Sequence, residues 1–79
     1  MHYVYILKNT DTVGLYIGRS NNLKQRIKHH KSKSNVELIY YEAFLSEKDA
    51  SSREYKLKLY GSAWRGLKQR LKSSLNLKA

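Results

Sequence analysis

The chain has 79 residues, enough for one domain with a modest core and too few for a second. It has no cysteine, which excludes a disulfide framework and any thiolate metal site, and no apolar run long enough to cross a membrane. Sixteen Lys and Arg against six Asp and Glu give a net charge of +10, which draws the chain toward polyanions, nucleic acid before all others.

No leader of basic, apolar and small residues opens the sequence, so the expectation is one soluble cytoplasmic domain over residues 1–79. Residues Tyr3 to Leu7 and Leu15 to Ile17 are β-branched, aromatic or Leu, and "KNTDTVG" between them carries turn chemistry, which predicts a hairpin. Ser20 or Asn21 can cap a helix running to about Lys31, and the polar "KSKSN" closes it. "VELIYYEAF", near residues 36 to 44, is a third strand. Ser46 followed by Glu47 and Asp49 resembles a capping box and predicts a helix from about 47 to 60, with Gly61 as its C-terminal stop. Ser62 can cap a last helix in which Leu67, Leu71 and Leu75 recur every four residues, with Trp64 one turn earlier. The order β-β-α-β-α-α implies an α/β chain of the α+β type: a small three-stranded antiparallel sheet flanked by about three helices.

The helices carry polar residues where apolar ones belong. With Leu23 at 0° on a helical wheel, Ile27 lies at about 40°, His30 at about −20° and Arg26 at about −60°, so Arg26 and His30 border the inward face. In the next helix Ala50, Leu57 and Gly61 define a stripe with Glu54 in its middle. Buried unpaired charges are costly, so these three groups must pair, reach a cleft or hold an ion. If the hairpin brings Tyr5 and Tyr16 to one side, two phenols join them. Such a set can hydrolyse a phosphodiester: the carboxylate binds a divalent metal, the arginine neutralises the phosphate, and a tyrosine or histidine takes a proton from water.

"YVY" at 3–5, "YIG" at 16–18, "NNL" with Arg26 and His30 after it, and the Glu of "SREYKLK" together resemble the GIY-YIG nuclease family, in particular its small stand-alone members, from Tyr3 to about residue 60. The resemblance implies a metal-dependent endonuclease that cuts nucleic acid, DNA in preference to RNA, in the setting of DNA repair or recombination. It implies Tyr5 and Tyr16 as the motif tyrosines, Gly18 as part of the second motif, Arg26 as catalytic arginine, His30 as accessory histidine and Glu54 as ligand to one Mg²⁺ or Mn²⁺. Tyr16 is the first choice as base and Tyr5 the second. Tyr3 stands where the motif's name has glycine, and "KSKSN" replaces a longer basic, Gly-rich segment, a shortening that bears on substrate preference. Arg19, Lys24, Lys28, Arg65, Lys68 and Arg70 are the candidate phosphate contacts. With no DNA-reading domain expected, sequence specificity should be slight unless a protein partner or a dimer supplies it. Two alternatives keep part of this pattern: a noncatalytic basic nucleic-acid-binding module, which needs no inward Glu54, and an interaction module for an acidic protein, which needs neither tyrosine motif.

Overall fold

Strand β1, His2–Asn9, buries four consecutive residues, Val4, Tyr5, Ile6 and Leu7, which requires cover on both faces and therefore a central position. A computed structural model, describing residues 1–59 and 61–75, places it there. The sheet order is β2-β1-β3, with β2 spanning Leu15–Ser20 and β3 spanning Val36–Phe44, both antiparallel to β1. The hairpin strands run further than their apolar residues suggest, because Asn9 organises the turn: its Oδ1 accepts from the Asp11 and Thr12 amides at 2.8 and 3.1 Å.

Helix α1, Leu23–Lys31, follows β2, and α2, Glu47–Leu59, follows β3. The chain ends its described course in α3, Gly61–Arg70, and the short turn α4, Lys72–Leu75. The expected β-β-α-β-α-α order is borne out, with the last helix divided at Leu71. Val4 and Ile6 pack with Ala50 and Leu57 of α2 and with Leu67 and Leu71, so α2 and α3 cover one face of the sheet. Tyr5 and Leu7 point to the other face, which α1 covers. A bulge beside Ile6 and Leu7 turns two consecutive β3 residues, Ile39 and Tyr40, onto the same core.

Two local expectations are corrected and a third is qualified. The cap of α1 is Asn22, whose side chain accepts from the Gln25 amide at 3.1 Å; Ser20 instead braces Asn22, its hydroxyl accepting from the Asn22 amide at 3.0 Å. Gly61 does not stop α2 in a left-handed conformation, since no described glycine has positive φ; it is exposed and opens α3, which leaves Ser62 inside that helix's first turn. The inward face that Arg26 borders is only half-buried, at Leu23, Ile27 and His30, and Arg26 itself is exposed. Ser46 does cap α2, its hydroxyl facing the Asp49 amide at 3.4 Å. Among the described residues no helix is long and apolar enough to cross a membrane.

Candidate active site

The hairpin register sets Tyr5 opposite Gly18 and Leu7 opposite Tyr16, so both tyrosines stand on the α1 face as diagonal neighbours. Their rings lie 6.1 Å apart and inclined by 36°. Gly18 makes this possible: a Cβ there would stand 2.5 Å from the Tyr5 hydroxyl and 2.6 Å from Tyr16 Cε1. From α1, His30 brings Nε2 to 3.1 Å from the Tyr5 hydroxyl and its ring to 4.7 Å from that of Tyr16.

Burial, first of all, pushes the Tyr5 phenol up to about 12, with Tyr16 and the Glu54 charge adding to it and Arg26 opposing. The same causes hold His30 below its usual value: loss of solvent, then the charges of His29, Arg26 and Lys33. At neutral pH the phenol therefore keeps its proton and the imidazole stays neutral. In the Nδ1–H tautomer, the Tyr5 hydroxyl donates to Nε2. Tyr16 differs in being about half exposed, at 46%. It lies where two clefts meet, one lined by Leu15, Ile17, Leu57, Lys58 and Trp64 and the other by Leu7, Asn9 and His30. Arg26 has no carboxylate partner among the described residues, although its charge is felt at both Tyr5 and His30. A guanidinium without a carboxylate partner among the described residues, near a phenol and an imidazole, is suited to an anion.

Glu54 approaches from the opposite side. It lies on α2, and Arg19, which pairs with Val4 in the sheet, meets it there: Arg19 Nε is 3.4 Å from Oε1, and Lys58 Nζ is 3.1 Å from Oε2. Four of the predicted groups, Tyr5, Tyr16, Arg26 and His30, thus gather on the α1 face. The fifth joins them across the β2 side with its charge reaching Tyr5. The six basic candidates do not form one patch. Lys24 and Lys28 are exposed on α1, Arg65, Lys68 and Arg70 are exposed on α3 across the sheet, and Arg19 is committed in part to Glu54.

A model of the GIY-YIG catalytic domain matches residues 1–68. The chain belongs to the GIY-YIG family. A UPF0213 protein of Clostridium perfringens is 43% identical over 67 residues, covering 73% of this chain and 71% of its own, and one of Staphylococcus haemolyticus is 38% identical over 68 residues, covering 75% and 82%. The solution NMR structure of a UPF0213 protein from Bacillus halodurans superimposes with a TM-score of 0.57 at 32% identity, covering 91% of this chain and 82% of that one. The GIY-YIG family is one of nucleases, and the resemblance read from the tyrosine motifs is borne out.

Sequence reasoning missed one feature beside the GIY-YIG residues. Arg53 forks onto Glu42 with two 2.9 Å bonds, and Tyr40 also donates to Glu42. Burial alone would raise the Glu42 carboxyl, but these bonds outweigh it and hold the group below its usual value. The signal was present: Tyr40 and Glu42 share a face by alternation, and Arg53 precedes Glu54 on α2.

Proposed function

We propose that the protein is a metal-dependent endonuclease that hydrolyses phosphodiester bonds in nucleic acid, DNA in preference to RNA, with little intrinsic sequence specificity. The observation that carries this reading is the half-exposed Tyr16 with its ring 4.7 Å from that of His30, together with an Arg26 guanidinium that has no carboxylate partner among the described residues. Tyr16 orients the attacking water and, in its phenolate form, accepts the water's proton to become the phenol, since it alone of the two tyrosines is open to solvent; His30 stabilises the ring's position. Tyr5, its proton held, acts as donor to His30 and fixes that ring. Arg26 neutralises the phosphate as charge shifts in the transition state.

Among the described residues no three His, Cys, Asp or Glu side chains cluster as a metal cage. A single half-buried carboxylate nevertheless suits Mg²⁺ or Mn²⁺, ions that keep several waters and complete their shell with substrate phosphate. Glu54 would hold the ion, which would supply positive charge to offset the negative charge on the phosphate and the leaving oxygen.

The test is a panel of labelled linear, nicked, flapped and branched DNA and RNA, incubated with Mg²⁺, Mn²⁺ or EDTA, for wild type and Glu54→Gln. Cleavage with metal, abolished by EDTA and by Glu54→Gln while binding persists, is the expected result. Cleavage in EDTA removes the metal from the reading. Salt-sensitive binding with no cleavage of any substrate assigns the protein to noncatalytic nucleic-acid binding instead.

A further inference from the structure

Both oxygens of the proposed metal-holding carboxylate are occupied by cations. Arg19 engages Oε1 and Lys58 engages Oε2, the latter at the i,i+4 spacing of a helical ion pair. A divalent ion arriving at Glu54 must displace at least one of them or share the carboxylate with two positive neighbours. The two are not equally held. Arg19 extends from a strand and its side chain is 34% exposed, whereas Lys58 is 49% exposed, and an exposed pair of this kind is weak enough to exchange. Lys58 also lines the cleft of about 450 Å³ that contains Tyr16 and Trp64, so on leaving Glu54 its ammonium stays beside Tyr16, the proposed base.

We propose that Lys58 is an exchangeable counter-ion: it rests on Glu54 in the free protein and moves to a phosphate oxygen of the bound strand when a divalent cation takes the carboxylate. This rests on the reading of Glu54 as the metal-holding residue. Its consequence is thermodynamic. Nucleic acid, by drawing off Lys58, uncovers the carboxylate, and the cation, by displacing Lys58, frees an ammonium for phosphate. Each ligand strengthens the other's binding by the same factor. The free protein then has little affinity for the metal, and the site is assembled on the substrate.

The experiment compares wild type, Lys58→Met and Glu54→Gln. Mn²⁺ binding to the free protein is followed by the EPR signal of unbound Mn²⁺. Affinity for a fluorescein-labelled, phosphorothioate-linked DNA is followed by anisotropy at fixed ionic strength with and without Mn²⁺. Lys58→Met, which keeps most of the apolar stem, should bind Mn²⁺ in the free protein about three- to tenfold more tightly than wild type, through loss of an exposed pair and of one neighbouring positive charge. It should also show a smaller Mn²⁺-dependent gain in DNA affinity. If Glu54→Gln abolishes Mn²⁺ binding while Lys58→Met binds Mn²⁺ as wild type does, the exchange is refuted and the metal site stands. If Glu54→Gln binds Mn²⁺ as well as wild type, the metal-site reading fails and the exchange fails with it. Far-UV circular dichroism of each variant confirms that the fold is retained.

Discussion

Replacing Gly18 by alanine places a methyl group where none fits. The new Cβ would lie 2.5 Å from the Tyr5 hydroxyl oxygen, 2.6 Å from Tyr5 Cζ and 2.6 Å from Tyr16 Cε1. Each contact is about 1 Å inside a comfortable separation. Tyr5 is 1% exposed and cannot retreat without opening the core, whereas Tyr16, at 46%, can swing outward. The backbone offers no relief or penalty of its own, because Gly18 has ordinary φ. Overpacking of this kind costs about 2–3 kcal/mol. In a domain of this size that lowers the melting temperature by roughly 10–20 °C. Gly66 is the control: it lies within α3 with nothing within 4 Å of an added Cβ. Gly66→Ala should therefore gain about 0.5–1 kcal/mol. Thermal and urea unfolding followed by circular dichroism give both numbers, and a cleavage assay below the melting transition reports whether the displaced tyrosines still work. A Gly18→Ala protein that melts within about 2 °C of wild type and retains full activity would refute the steric argument.

Arg26→Lys keeps the charge but not the planar fork, so single-turnover cleavage should fall about 100-fold while anisotropy shows a much smaller loss of affinity; equal losses would reduce Arg26 to one more phosphate contact. His30 has a folded pKa below the usual value, so its contribution to stability is fully present above about pH 6.5 and is lost as pH falls through the window down to the depressed value. Urea midpoints of wild type should drop across that window more than those of His30→Asn. Arg53→Met removes two bonds to a partly buried carboxylate and should cost about 1.5–3 kcal/mol in urea unfolding, with Glu42→Gln in the same background recovering part of it. Glu42, held below its usual value, gives stability that is present above about pH 4.5 and lost on further acidification, and Arg53→Met should shrink that acid-dependent loss.

What could be read from the sequence was local. The third strand and the Ser46 cap follow from neighbouring residues alone, and their observed limits, Val36–Phe44 and Glu47, match the reading. The cap of α1 was harder because Ser20, Asn21 and Asn22 are all capable of it; which one acts depends on where β2 ends, a property of pairing with β1. The bulge that puts Ile39 and Tyr40 on one core face breaks the alternation on which strand reading relies. Tyr5, Tyr16 and His30 could be nominated from motif and helical phase, but their meeting depends on Gly18, whose role emerges only once the hairpin register is fixed. Alternation put Tyr40 and Glu42 on one strand face, but that Arg53 reaches them depends on how α2 packs on the sheet. The partners of Glu54 were half legible: Lys58 by its spacing, Arg19 only through the sheet.

Arg26 and His30 ride on a helix that buries none of its nine residues, while Glu54 rides on one anchored by Ala50 and Leu57. In hydrogen-exchange terms the two halves belong to different tiers: amides of Leu23–Lys31 reach solvent through local opening, whereas those around Leu57 wait for the sheet to come apart. Mild heating should then separate His30 from Tyr5 while the far-UV spectrum still reports an intact sheet, so inactivation will run ahead of unfolding. A polyanion laid against the basic last turn of that helix, Lys28 to Lys31, would relieve its crowded charge and bring the two temperatures together.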